Sequence, residues 1–174
     1  MTEQRTNAAP SADPATAYLE ALRGRLAADG CALASETWAG HQVVVGRRSD
    51  RKARWFGTKC QLFVCGAVVP RVDEAAIAEF TGWALTYAKR RRGGVPGARN
   101  APMALPALIS TDVHPSAAHW AAADGRVLDA TVVARPVTVE TTPEVVRTVM
   151  YRGGIMWGGM FTSHVLEKAA LYFP

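Results

Sequence analysis

Residues 104–130 read ALPALISTDVHPSAAHWAAADGRVLDA, and their pattern decides the fold class. ALPALIST is a short apolar strand. Asp112-Val113-His114-Pro115 then opens a helix, with proline near the first turn, where a missing amide costs nothing. Ala117, Ala118, Trp120 and Ala121 supply a packing face of small residues, and Asp124-Gly125 ends the helix. RVLDATVVA, residues 126–134, is a strand again. Alternation of this kind predicts a mixed sheet with helices on its faces.

The same reading extends outward. Toward the N-terminus, Tyr18, Leu19, Leu22 and Leu26 hold helical spacing within residues 15–29, and Asp29-Gly30 is the stop. Residues 31–38 and HQVVVGRR from His41 are two strands with Gly40 in the turn between them. Residues 47–54 read as the next hairpin tip. Arg54 to Val69 is a longer strand whose apolar second half suits the centre of a sheet. Asp73 begins a helix that Ile77, Phe80, Ala84 and Tyr87 carry to about residue 88, and GGVPGARNAP is a loop. Toward the C-terminus, VTVET is a further strand, residues 143–150 a helix and residues 162–171 a last helix. The glycine pairs 153–154 and 158–159 read as close backbone packing. The predicted fold is α/β, a mixed sheet flanked by helices in the order αβββαβαβ, plus a Gly-rich C-terminal tail with a terminal helix.

At 174 residues the chain has room for one domain, expected over 15–174, behind a tail (1–14) too poor in large apolar side chains to order. No apolar run approaches the roughly 18 residues of a spanning helix, so no membrane association is expected. Three cysteines, Cys31, Cys60 and Cys65, form an odd and sparse set that suits a reducing compartment, and the cytoplasm is expected.

The net charge of +5 is concentrated. Residues 47–59 carry Arg47, Arg48, Arg51, Lys52, Arg54 and Lys59 against Asp50, and residues 89–99 carry Lys89, Arg90, Arg91, Arg92 and Arg99 with no acid. Each segment is worth +5, so the rest of the chain sums to −5. Such patches suit polyanions, through phosphate contacts and counterion release. Trp55 and Phe56 lie between Arg54 and Lys59 as aromatic companions for that contact.

Other chemistry is weakly signalled. Cys60 and Cys65 are five apart on a strand and face opposite ways, and His114 and His119 are a poor helical pair. Neither matches the spacing of tetrahedral zinc ligands, so no metal is expected. Cysteine–histidine catalysis has the residue types without a local signature. Asp112 with His114 offers an acid–base pair or, more simply, a helix cap.

The element order, with residues 104–130 above all, resembles the restriction endonuclease-like superfamily (the PD-(D/E)xK fold), in its Mrr-type members. The likeness spans roughly residues 15–135, leaving 136–174 as an extension. It implies a core of helix, three antiparallel strands, helix and strand. Active members place an Asp on the second strand and Glu (or Gln)-x-Lys on the third, to hold Mg²⁺ beside a lysine. Here HQVVVG has no acid, and GTKCQLFVC carries Lys59 and Gln61 in reverse order without a carboxylate. Glu36 and Asp50 are the acids that a relocated site would use.

The expectation is a pseudo-nuclease: a non-catalytic nucleic-acid-associated protein that needs no cofactor. It would bind through Arg47, Arg48, Arg51, Lys52, Arg54 and Lys59, with Lys89, Arg90, Arg91 and Arg92 assisting. Two alternatives stand beside it. One is an assembly protein that oligomerises or docks through residues 150–174. The other is a Mg²⁺-dependent nuclease whose weak catalytic candidates are Glu36, Asp50, Lys59 and Gln61.

Overall fold

The structure is a computed structural model that describes residues 13–93, 99–128, 131–155 and 159–174. Helix α1 (Pro14–Ala28) starts where the Asp13 carboxylate accepts the Thr16 amide at 3.1 Å, with Pro14 in its first turn. Asp13 and Pro14 therefore belong to the helix and its cap; residues 1–12 of the expected tail lie outside the described residues. Strands β1 (Ala32–Trp38), β2 (His41–Arg51) and β3 (Lys59–Val68) form an antiparallel meander. Helix α2 (Glu74–Arg91), capped by Asp73, crosses to β4 (Asn100–Ser110), which runs parallel to β3.

Beyond β4 come α3 (Pro115–Ala123), β5 (Arg126–Leu128), β6 (Val132–Ala134), β7 (Val137–Thr141), β8 (Val146–Met150) and α4 (Thr162–Tyr172). Strands β6 and β7 occupy the outer edge of β4 one after the other, broken at Arg135-Pro136; β5 flanks β6 and β8 flanks β7. This is the expected mixed sheet between helices, in roughly the expected order.

Strand alternation divides the interior in two. Leu62, Val64, Leu105 and Ile109 face α1 and α4; Phe63, Cys65, Ala104 and Leu108 face α2 and α3. Helix α1 lies close on β2 and β3 because Gly46 and Gly66 lack side chains. A Cβ at either would sit 2.8 Å from Leu26 or Leu22. The apolar side of α4 (Val165, Ala169, Tyr172), with Phe161 and Phe173, is buried in this chain's own core. The tail thus completes the domain. No helix among the described residues is long and apolar enough to cross a membrane.

Four local expectations are corrected. Residues 143–150, expected to be helical, contain β8: the β-branched run of Val145, Val146, Thr148 and Val149 favours extended backbone, and β7 offers it an open edge. Residues 126–134 are not one strand but two, folded back antiparallel. β4 begins at Asn100, inside the expected loop. The hairpin tip expected at 47–54 lies further on, because β2 continues to Arg51; a 3-10 turn, Ala53–Trp55, follows, and β3 begins at Lys59.

Candidate nucleic-acid interface

Pairing across β2, β3 and β4 brings the two basic segments to one end of the sheet. Arg51 stands opposite Lys59, and Lys59 opposite Asn100. The Lys59 amide donates to the Arg99 carbonyl at 2.7 Å, and Arg99 Nη1 donates to the Phe56 carbonyl at 3.0 Å. The end of α2, which carries Lys89, Arg90 and Arg91, comes to the same place. Asn100 Nδ2 donates to the Gly93 carbonyl at 3.3 Å, and Arg47 Nη2 is 3.9 Å from where a Gly93 Cβ would sit.

Strand alternation then sorts the cations. Arg47, Arg51 and Lys59 point to the α2 face, and Arg48 to the α1–α4 face. There Arg48 is neutralised, a correction to its expected phosphate contact. Its Nε and Nη2 donate to the two oxygens of Asp50 at 2.7 and 2.6 Å, and Nη1 donates to the Asp29 carbonyl at 2.9 Å and to its carboxylate. Helix α4 contributes a polar stripe at i, i+4 and i+8: His164 to Asp50 at 2.9 Å, Lys168 to both oxygens of Asp29 at 2.9 Å, and Tyr172 to Asp29. The hydrogen bonds from Arg48, aided by His164 against the opposing effect of burial, hold the Asp50 carboxyl down to about 2. Burial raises Asp29, yet Tyr172, Lys168 and Arg48 together keep it below its ordinary value. An ionised Asp50 can only accept, so His164 Nε2 carries the proton, and Nδ1 is left buried with no hydrogen-bond partner among the described residues.

On the rim, Lys52 lies 3.9 Å from Glu167 and Arg91 lies 3.4 Å from Glu36. Arg47, Arg51, Arg54, Lys59, Arg90, Arg92 and Arg99 meet no carboxylate among the described residues. The aromatic pair separates. Trp55 is wholly buried, edge-on to Phe161 and His164 at 5.0 and 5.1 Å, so it is hydrophobic cover and not a nucleic-acid contact. Phe56 is 79% exposed and is held in the left-handed region, at φ 49°.

The remaining candidates are not brought together. Glu36 faces α2, accepting from Tyr87 at 3.1 Å, on the side of the sheet opposite Asp50. Gln61 is buried, and Lys59 stands at the rim. Asp50 has both oxygens occupied by the Arg48 guanidinium and one also by His164, which leaves it a poor Mg²⁺ ligand. His114 caps α3, accepting from the Ser116 amide at 3.2 Å, while Asp112 makes an exposed contact with Arg71 at 3.7 Å. Burial pushes the Cys60 and Cys65 thiols, on opposite faces, up to about 12, so they stay protonated and poorly nucleophilic. Gly153 fits the packing role, since a Cβ there would strike the Tyr151 ring, but Gly154 and Gly159 have open space where a Cβ would stand and do not; Gly158 lies outside the described residues.

The polar stripe of α4 was the functional feature missed in the sequence, although the spacing of His164, Lys168 and Tyr172 marks it. Compared with models of protein families, with curated proteins and with solved structures, the chain has no match.

Proposed function

We propose that this protein is a non-catalytic nucleic-acid-binding protein on a pseudo-nuclease scaffold, and that it binds phosphates along the rim formed by Arg47, Arg51, Arg54, Lys59 and Arg99. One observation carries the reading. Arg51 and Lys59 are directly opposed across β2 and β3, with Arg99 beside them and no carboxylate between. Like charges directly opposed across a strand pair oppose folding. A polyanion relieves the repulsion; a merely solvated loop does not require it.

The nuclease-like part of the reading is supported by topology: a helix, three antiparallel strands, a helix, and a fourth strand parallel to the third. The non-catalytic part is supported by the surroundings of Asp50. Its neighbours on that face of the third strand are Cys60 and Leu62, where the superfamily pattern calls for a carboxylate and a lysine. Three free, buried thiols suit the cytoplasm as its setting.

The test is fluorescence anisotropy with a labelled 20-base strand and its duplex from 50 to 300 mM salt. The wild type is expected to weaken steeply with salt. Replacing Arg51, Lys59 and Arg99 together by alanine should lower the slope of log K against log salt by about two to three for the duplex. No binding at 50 mM, or a slope that the triple variant leaves unchanged, overturns the proposal.

A further inference from the structure

A cleft of about 250 Å³ opens between β1 and α2, lined by Glu36 and Thr37 from the strand and by Trp83, Tyr87, Arg90 and Arg91 from the helix. It is smaller than the roughly 300–1,000 Å³ of drug-sized sites, a scale that suits one flat ring. Its aromatic wall is ordered: Trp83 and Tyr87 are stacked at 5.3 Å, and Arg91 lies over the Tyr87 ring at 5.5 Å. Both rings are only half-buried. Among the described residues β1 pairs with β2 alone, so the outer side of the cleft is an open strand edge.

The cleft adjoins the basic rim, since Tyr87 from the cleft and Arg47 from the rim both cover the buried Phe63 ring. Tyr87 meets Phe63 edge-on at 6.2 Å, and Arg47 lies over Phe63 at 5.7 Å. A chain whose phosphates run along the rim therefore passes the mouth of the cleft at Arg47, Arg90 and Arg91. Among the described residues that line the cleft, Glu36 is the one acid. Glu36 Oε1 accepts from Tyr87 at 3.1 Å and from Arg91 at 3.4 Å. Oε2 has no hydrogen-bond partner among the described residues and is free to accept. A carboxylate beside arginines would repel a phosphate at that spot but accepts readily from an amino group. Aromatic rings, arginine planes and an edge-reading acceptor are the means by which unpaired bases are held.

We propose that this cleft receives one unpaired nucleobase with an exocyclic amino group, from a strand whose phosphates follow the basic rim. The inference rests on the nucleic-acid reading above and narrows it to single strands, because a base stacked and paired within a duplex cannot bring its ring into the cleft.

The experiment is anisotropy with homopolymeric 12-base strands of dA, dC and dT and with a duplex, for wild type, Glu36→Gln and the rim triple variant. A titration of tryptophan fluorescence with free CMP and UMP runs alongside, with Trp83→Phe as the reference for the signal. The wild type should prefer dA and dC strands to dT and to duplex by roughly tenfold, the scale of a hydrogen bond to a charged group. Glu36→Gln should erase that preference and leave dT binding unchanged, and CMP alone should quench Trp83. If the triple variant loses binding while Glu36→Gln behaves as wild type on every strand, the cleft proposal fails and the rim stands. If no strand binds, the rim fails, and the cleft survives only on saturable quenching by CMP that Glu36→Gln removes.

Discussion

Arg47 and Arg48 are adjacent in the chain and live in different surroundings. Arg48 is enclosed by Asp29 and Asp50, and His164, Lys168 and Tyr172 complete the hydrogen bonds of those two acids. Arg47 lies on the opposite face over Phe63, exposed and without a carboxylate among the described residues. The interior cluster joins the end of α1, the end of β2 and the whole of α4 through one guanidinium and two acids. The rim does the reverse, holding like charges close on a rigid sheet end. A cation whose charge is satisfied inside contributes to the fold, and one left unsatisfied on a rigid frame is available to a ligand.

The comparison breaks most readily at Arg48. Arg48→Met should lower the free energy of unfolding in urea by about 2 kcal/mol, because Asp29 and Asp50, both part-buried, each lose charged donors and keep only those of α4. Arg47→Met should stay within about 0.5 kcal/mol of wild type. Equal losses would erase the distinction between the two faces.

Acid sharpens the same contrast. Asp50 is held at about 2 against an ordinary 3.8, so its stabilising contribution is complete above roughly pH 4 and is lost as pH falls toward 2. Asp29, also lowered, adds in the same direction. The shift of Asp50 alone corresponds to about 2 kcal/mol before solvent screening of this part-buried carboxylate, and to about 1 kcal/mol after it. Urea midpoints measured from pH 5 to pH 2 should therefore fall steeply for wild type and less steeply for Asp50→Asn. A parallel fall in both proteins would show that the acids contribute nothing through Arg48 and His164.

The smallest effect tests the rim. Phe56 occupies a left-handed backbone position that a β-carbon opposes, at a cost of about 1 kcal/mol. Phe56→Gly should raise stability by about that amount and weaken binding to single strands, since the exposed ring is lost as a stacking surface. A variant that gained stability and kept its affinity would make Phe56 a passive loop residue.

Much of the frame was legible without coordinates. Asp73 before an apolar helical stripe, the spacing of Tyr18, Leu19, Leu22 and Leu26, glycines at the turns and the apolar run of β3 specify α2, α1 and the meander through local chemistry alone, whereas Asp13, within the expected tail, was missed as the cap of α1. Residues 143–150 were not legible, because whether a β-branched segment extends depends on an edge to pair with, and β7 supplies it from outside the segment. Arg48 was misjudged for a related reason: with 47–54 taken as a turn, no alternation applied, and its face was undefined until β2 was seen to continue to Arg51.

By itself the sequence determined most of the helical and extended segments up to α3, where charge concentrates and which thiols lie on opposite faces, since each of these follows from neighbours within one or two turns or strands. Only the tertiary structure decided that the basic segments meet, that Arg48 is neutralised and Trp55 enclosed, and that α4 closes this chain's own core. Those outcomes depend on which strands pair and in what register, and pairing joins residues more than thirty positions apart through contacts that no local pattern encodes.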